Sequence, residues 1–227
     1  MDVHTGRRMV MKNPTKSAMI VIDMERGFIE PESAHCIRTA KATVPACSKA
    51  MAMAREKGIP VFLVNRIYRA NGCDVESTRY HAWVAGGRAM TPGSTGTLSY
   101  EMPEGMEPQP GDYTLIKPRF SAFFQTELDL ILRRLRVETV ILIGTTTPNC
   151  IRTTCYDGIC LDYNVVILPE CCSSQTEEIQ RVNMEDMERV GAKLLSLEAF
   201  AAYDASNAPS LVQEVCAAVA ADETHPE

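Results

Sequence analysis

The chain has 227 residues, of which 45% are hydrophobic and 23% charged, and its formal net charge is −6. That length suits one α/β domain whose core needs no disulfide staples. The mild acidity, with no basic run and no interleaved aromatic and basic residues, excludes a nucleic-acid binder. No apolar run approaches the roughly 20 residues needed to span a bilayer, so no membrane role is expected.

Residues 1–16 are polar and basic and read as an N-terminal tail without the apolar centre of a signal peptide. The run from Ala18 to Ile22 is continuously apolar and ends at Asp23, as in a strand buried on both faces. Residues 39–57 carry a helical spacing that stops at Gly58, and 59–64 form a second apolar strand. The stretch 69–112, rich in Gly, Pro, Ser and Thr, predicts an irregular lid or site wall with one short helix around Arg79 to Trp83. A third strand, 113–117, ends on Lys117. Residues 125–135 read as an amphipathic helix, 139–144 as a fourth strand and 150–161 as a helix opened by Cys150. A strand over 164–168, a helix over 176–190, a short strand over 192–195 and an Ala-rich helix beyond 204 complete the pattern. Such alternation predicts an α/β fold: three αβα layers around a mostly parallel central sheet of about six strands. One such domain is expected over 17–204, followed by a C-terminal helix and polar tail over 205–227.

Functional groups of such sheets gather beyond the carboxyl ends of the strands. Three such ends deliver Asp23, Lys117 and, past a loop, Cys150. A thiol becomes a strong nucleophile on losing its proton. A helix N-terminus and the Lys117 ammonium would favour that ionisation, and selective alkylation of Cys150 at neutral pH is the corresponding expectation. Asp23 can take the proton and return it to a leaving amine. Backbone N–H groups of the loop 144–147 and of Cys150 could receive the oxyanion. The nine cysteines include no C-x-x-C pair, and the four histidines are scattered. Neither a metal nor a cofactor is expected, and the thiols point to a reducing, cytoplasmic setting.

Three segments carry a resemblance. They are Ile22-Asp23-Met24-Glu25-Arg26-Gly27-Phe28, Lys117-Pro118-Arg119-Phe120-Ser121-Ala122-Phe123, and Gly144-Thr145-Thr146-Thr147-Pro148-Asn149-Cys150. In this order they resemble the isochorismatase-like cysteine hydrolases, across roughly residues 17–200. The resemblance implies an Asp23–Lys117–Cys150 triad and a non-proline cis peptide near Thr145–Thr146, which would turn the Thr146 N–H, beside that of Cys150, toward an oxyanion. It also implies a homo-oligomer, a dimer or tetramer. Where the family often has Gln, two residues after the aspartate, this chain has Glu25. The Asp-x-His metal motif of nicotinamidases is absent, and Cys150 favours C–N cleavage over the vinyl-ether hydrolysis of isochorismatases proper.

The expected substrate is therefore a small amide, carbamoyl compound or ureide. Vinyl-ether hydrolysis acid-catalysed by Asp23 and a non-catalytic binding protein remain as alternatives. The expected substrate-binding residues are Phe28, Arg66, Tyr68, Trp83, Phe120 and Thr147. Asn65-Arg66 and Arg69 would suit a carboxylate, while Asp74, Glu76 and Arg79 read as a surface charge cluster, with lining of the site as the alternative.

Overall fold

In a computed structural model, which describes residues 13–222, six strands form one parallel sheet in the order β3-β2-β1-β4-β5-β6. The strands are β1 Ser17–Ile22, β2 Val61–Asn65, β3 Tyr113–Ile116, β4 Thr139–Thr145, β5 Asn164–Ser173 and β6 Lys193–Leu194. The helices are α1 Arg26–Ile29, α2 Ala40–Glu56, α3 Tyr80–Ala85, α4 Leu128–Arg134, α5 Arg152–Cys160, α6 Glu177–Arg189, α7 Leu197–Ala201 and α8 Leu211–Ala221. The expected tail lies outside the described residues over 1–12, as does the end of the chain over 223–227.

Alternation along β1 divides the interior into two cores. Met19 and Val21 pack with Cys47, Met51 and Ala54 of α2 on one face. Ala18, Ile20 and Ile22 pack with Leu128 and Leu132 of α4 and Cys155 of α5 on the other. All of β1 and all of β4 are buried, which is why their sequences are apolar without a period. The α6 helix begins where the Thr176 hydroxyl accepts a bond from the Ile179 N–H at 3.2 Å.

Strand order reverses between β1 and β4, and at that point the helices leave on opposite faces and open a crevice at the carboxyl edge. The two strands run close there. Gly144 lies opposite Ile22 with φ +117, and a Cβ on it would stand 2.1 Å from the Ile22 carbonyl oxygen.

Four elements depart from the sequence reading. The short helices α1 and α7 are additions. The β5 strand runs to Ser173 instead of ending at Leu168, its pairing with β4 shifting between Leu142 and Gly144 so that an irregularity absorbs Pro169 and Glu170. Cys150 does not open an α-helix: it lies in a π-helical turn, Thr147–Ile151, that precedes α5.

Candidate active site

Asp23 follows β1 directly, and its N–H donates to Val64 O at 3.1 Å, as a continuing strand would. Its φ of +49 then turns the chain out of the sheet, a left-handed conformation that Asp tolerates better than most residues. Lys117 continues β3 in the same way, its N–H donating to Asn65 O at 2.9 Å. Because β2 lies between β3 and β1, Lys117 must cross two strand spacings, about 9.6 Å, to reach Asp23. A four-carbon stem spans that gap. The Lys117 Nζ lies 2.7 Å from Asp23 Oδ2, 3.6 Å from Cys150 Sγ and 3.0 Å from Arg119 O. All three side chains are buried. The Thr145–Thr146 peptide between β4 and the Cys150 turn is cis.

Electrostatics correct one expectation. Burial, then the Asp23 carboxylate, push the Cys150 thiol up to about 11, against the opposing pull of Lys117 and Arg66. The resting group at neutral pH is thus a thiol facing a carboxylate, not the standing thiolate expected from a helix terminus. Glu25 is raised well above the usual carboxylate range, first by burial and then by Asp23. A protonated Glu25 is uncharged and close in shape to a glutamine, and its Oε1 accepts the Arg66 backbone N–H.

Asp23, Thr146 and Cys150 line a narrow cavity of about 30 Å³ with Phe28, Ile37, Arg79, Thr145 and Asn149. Beside it lies a second cavity of about 130 Å³, walled by Phe28, His35, Tyr68, Trp83, Arg79 and Met90 among others. Phe28 and Arg79 face both. Two larger grooves, of about 520 and 640 Å³, sit at α8 and at the β3 edge and contain none of the three strand-end groups.

Of the expected binding residues, Phe28 therefore lines the Cys150 cavity and Tyr68 and Trp83 its neighbour. Arg66, Phe120 and Thr147 line neither. Arg66 is wholly enclosed and pairs with Glu76, donating also to the Tyr68 hydroxyl at 3.0 Å. Phe120 serves as a platform under two guanidinium groups, Arg66 at 5.2 Å and Arg79 at 5.6 Å from its ring. The Thr147 hydroxyl is buried and donates to Ser173 O at 3.1 Å. Arg69 is exposed near Asp74. Ile37, Asn149 and His35 carry no site role in the sequence reading, and Arg79 carries one only as the alternative to a surface charge. The irregular stretch 69–112 supplies Val75, Thr78, Arg79, Ala82, Trp83 and Met90 to the side cavity and so forms its wall.

A parallel sheet with such a cluster at its switch point defines an α/β enzyme-like scaffold, and sequence comparison gives its family. The isochorismatase domain matches residues 17–199, and the chain belongs to that family. A probable inactive nicotinamidase of Arabidopsis thaliana is 36% identical over 80% of this chain and 92% of its own length. The ureidoacrylate amidohydrolase RutB of Pantoea ananatis is 31% identical over 69% of each chain. Among solved structures, an isochorismatase family protein from Desulfovibrio vulgaris superposes with a TM-score of 0.77 at 36% identity, covering 89% of this chain and 99% of that one. The N-carbamoylsarcosine amidase of Thermoplasma acidophilum gives 0.66 at 26% identity, covering 80% and 96%. The family is one of isochorismatase-like hydrolases with amidohydrolase members.

Proposed function

We propose that this chain is a cysteine hydrolase that cleaves the C–N bond of a small amide, carbamoyl compound or ureide. The observation that carries the reading is a single buried ammonium, Lys117, in contact with both the Asp23 carboxylate and the Cys150 sulfur, the two groups that line the narrow cavity. Asp23 takes the Cys150 proton as sulfur attacks the carbonyl carbon, so the thiolate exists only along the reaction path. Lys117 balances the negative charge while it moves from oxygen to sulfur. The N–H groups of Thr146 and Cys150 receive the carbonyl oxygen as it becomes an oxyanion. Asp23 then returns the proton to the leaving nitrogen as the C–N bond breaks. Water, deprotonated by the same carboxylate, opens the thioester and restores the thiol.

The test is a panel of small amides and ureides with release of ammonia or amine as readout. Cys150→Ser should lower kcat by roughly a thousandfold or more, as expected when one member of a cooperating set is lost. Turnover that survives this change undiminished would remove Cys150 from the chemistry. The relative named as a probable inactive nicotinamidase favours a second reading, a non-catalytic member of the family. That reading gains if the folded protein binds panel compounds and turns over none of them.

A further inference from the structure

We propose that the Cys150 site selects an anionic substrate, a small amide or ureide bearing a carboxylate, and that Arg79 is the residue that reads the anion. The amide half of this statement rests on the hydrolase reading above. The anionic half rests on charge and shape alone.

Arg79 stands just before α3, its backbone N–H donating to Glu76 O at 2.8 Å, and its guanidinium lies over Phe120. It faces both the Cys150 cavity and the side cavity. Among the described residues it forms no ion pair, because the neighbouring carboxylates are committed elsewhere. Asp23 is held by Lys117 and Glu76 by Arg66. Asp74 accepts the Arg69 N–H at 2.9 and 3.1 Å.

The charges around the cavities can be added group by group. Lys117 and Asp23 cancel, as do Arg66 and Glu76. Cys150 and Glu25 are held protonated by burial and by Asp23. His35 is lowered, first by burial and then by Arg79, and is neutral at neutral pH. Among the groups that line the two cavities and their buried partners, one positive charge remains, on Arg79. A neutral ligand closing over this half-buried guanidinium would take it from water without compensation. A carboxylate supplies both the opposite charge and two acceptors matched to the fork.

Shape fixes where the anion goes. The side cavity, about 130 Å³, is walled mainly by Phe28, Tyr68, Trp83 and Met90. That is well below the roughly 300–1,000 Å³ of sites for drug-sized ligands. A short apolar portion fits there, with the scissile carbonyl at Cys150 and the carboxylate at the Arg79 junction between the two spaces.

The test needs no turnover. Cys150 is alkylated at mildly alkaline pH with iodoacetate, an anion, and with iodoacetamide, its neutral counterpart, and the adducts are mapped by mass. The exposed thiols of Cys73, Cys160 and Cys216 in the same sample give the intrinsic ratio of the two rates. The iodoacetate-to-iodoacetamide ratio at Cys150 should exceed that reference by at least about tenfold, the order set by one opposite charge close by. Arg79→Gln should bring it to the reference, and Arg79→Lys should keep part of the excess. If Arg79→Gln does not fold, the wild type still decides. Its excess should vanish near 1 M salt, where the screening length is about 3 Å. An equal ratio at Cys150 and at the exposed thiols, or an excess unchanged in Arg79→Gln, overturns the proposal. Because alkylation reads only the anion preference, its failure is distinct from a failure of Cys150→Ser to abolish hydrolysis.

Discussion

Replacing Asp23 by Asn separates the two things that the carboxylate does to Cys150. In the wild type it repels the thiolate and accepts the thiol hydrogen, and together with burial this pushes the thiol up to about 11. At pH 9 about 1% of Cys150 is therefore ionised. Asn keeps the shape and removes the charge, while Lys117 and Arg66 stay to favour the anion. A like charge in contact, at an effective dielectric constant of about 20, is worth up to about 4 kcal/mol; even a third of that is a tenfold change in ionisation. Asp23→Asn should thus make Cys150 alkylate with iodoacetamide about tenfold faster at pH 9, while hydrolysis is lost because no base returns the proton. The assay is the rate of Cys150 carbamidomethylation against pH, followed by peptide mapping, beside ammonia release from the best panel substrate. If alkylation instead slows in Asp23→Asn, the carboxylate is sustaining a resting thiolate and the neutral-thiol account is wrong.

Further outcomes follow from the same geometry. Glu25 is protonated in the fold and ionised in the unfolded chain, so its stabilising contribution is complete below the ordinary carboxylate range and falls as pH rises toward its elevated folded value. Glu25→Gln escapes that loss; as pH rises above the ordinary carboxylate range its thermal midpoint should gain on the wild type by about 3–5 °C per pH unit, and a difference that does not vary with pH refutes a buried neutral carboxyl. Gly144→Ala should cost more than about 4 kcal/mol, since the added carbon meets the Ile22 carbonyl oxygen at 2.1 Å. Denaturant unfolding checks this, and a near-native midpoint would contradict the close approach of β1 and β4.

The legible parts of the fold are those where burial imposes composition. β1, β2 and β4 declare themselves as apolar runs because the neighbouring strands and helices enclose them on every side. The strand-end positions of Asp23 and Lys117 follow from those runs. The extension of β5 is hidden because Pro169 and Glu170 look like a terminus, and only the irregular pairing with β4 accommodates them. The α1 turn, four residues long, is too short to show a helical period. The state of the Cys150 sulfur is not legible, because a sequence shows the amine and the acid but not the desolvation that outweighs the amine. Arg79 was obscured for a related reason: which member of a charge cluster stays unmatched is settled in space, where Arg66, ten positions before Glu76, claims that carboxylate.

The carboxylate, the ammonium and the sulfur are borne by β1, by the edge strand β3 and by the turn after β4, with β2 between the first two. No contiguous fragment holds the reactive centre. During synthesis about two thirds of the chain must be made before residue 150 exists at all, and long-range pairing must then bring its turn to β1. Heat that loosens any of these four strands dismantles the centre at once, so inactivation and the loss of sheet structure should share a single transition, and residual turnover can serve as a gauge of how many molecules are natively assembled.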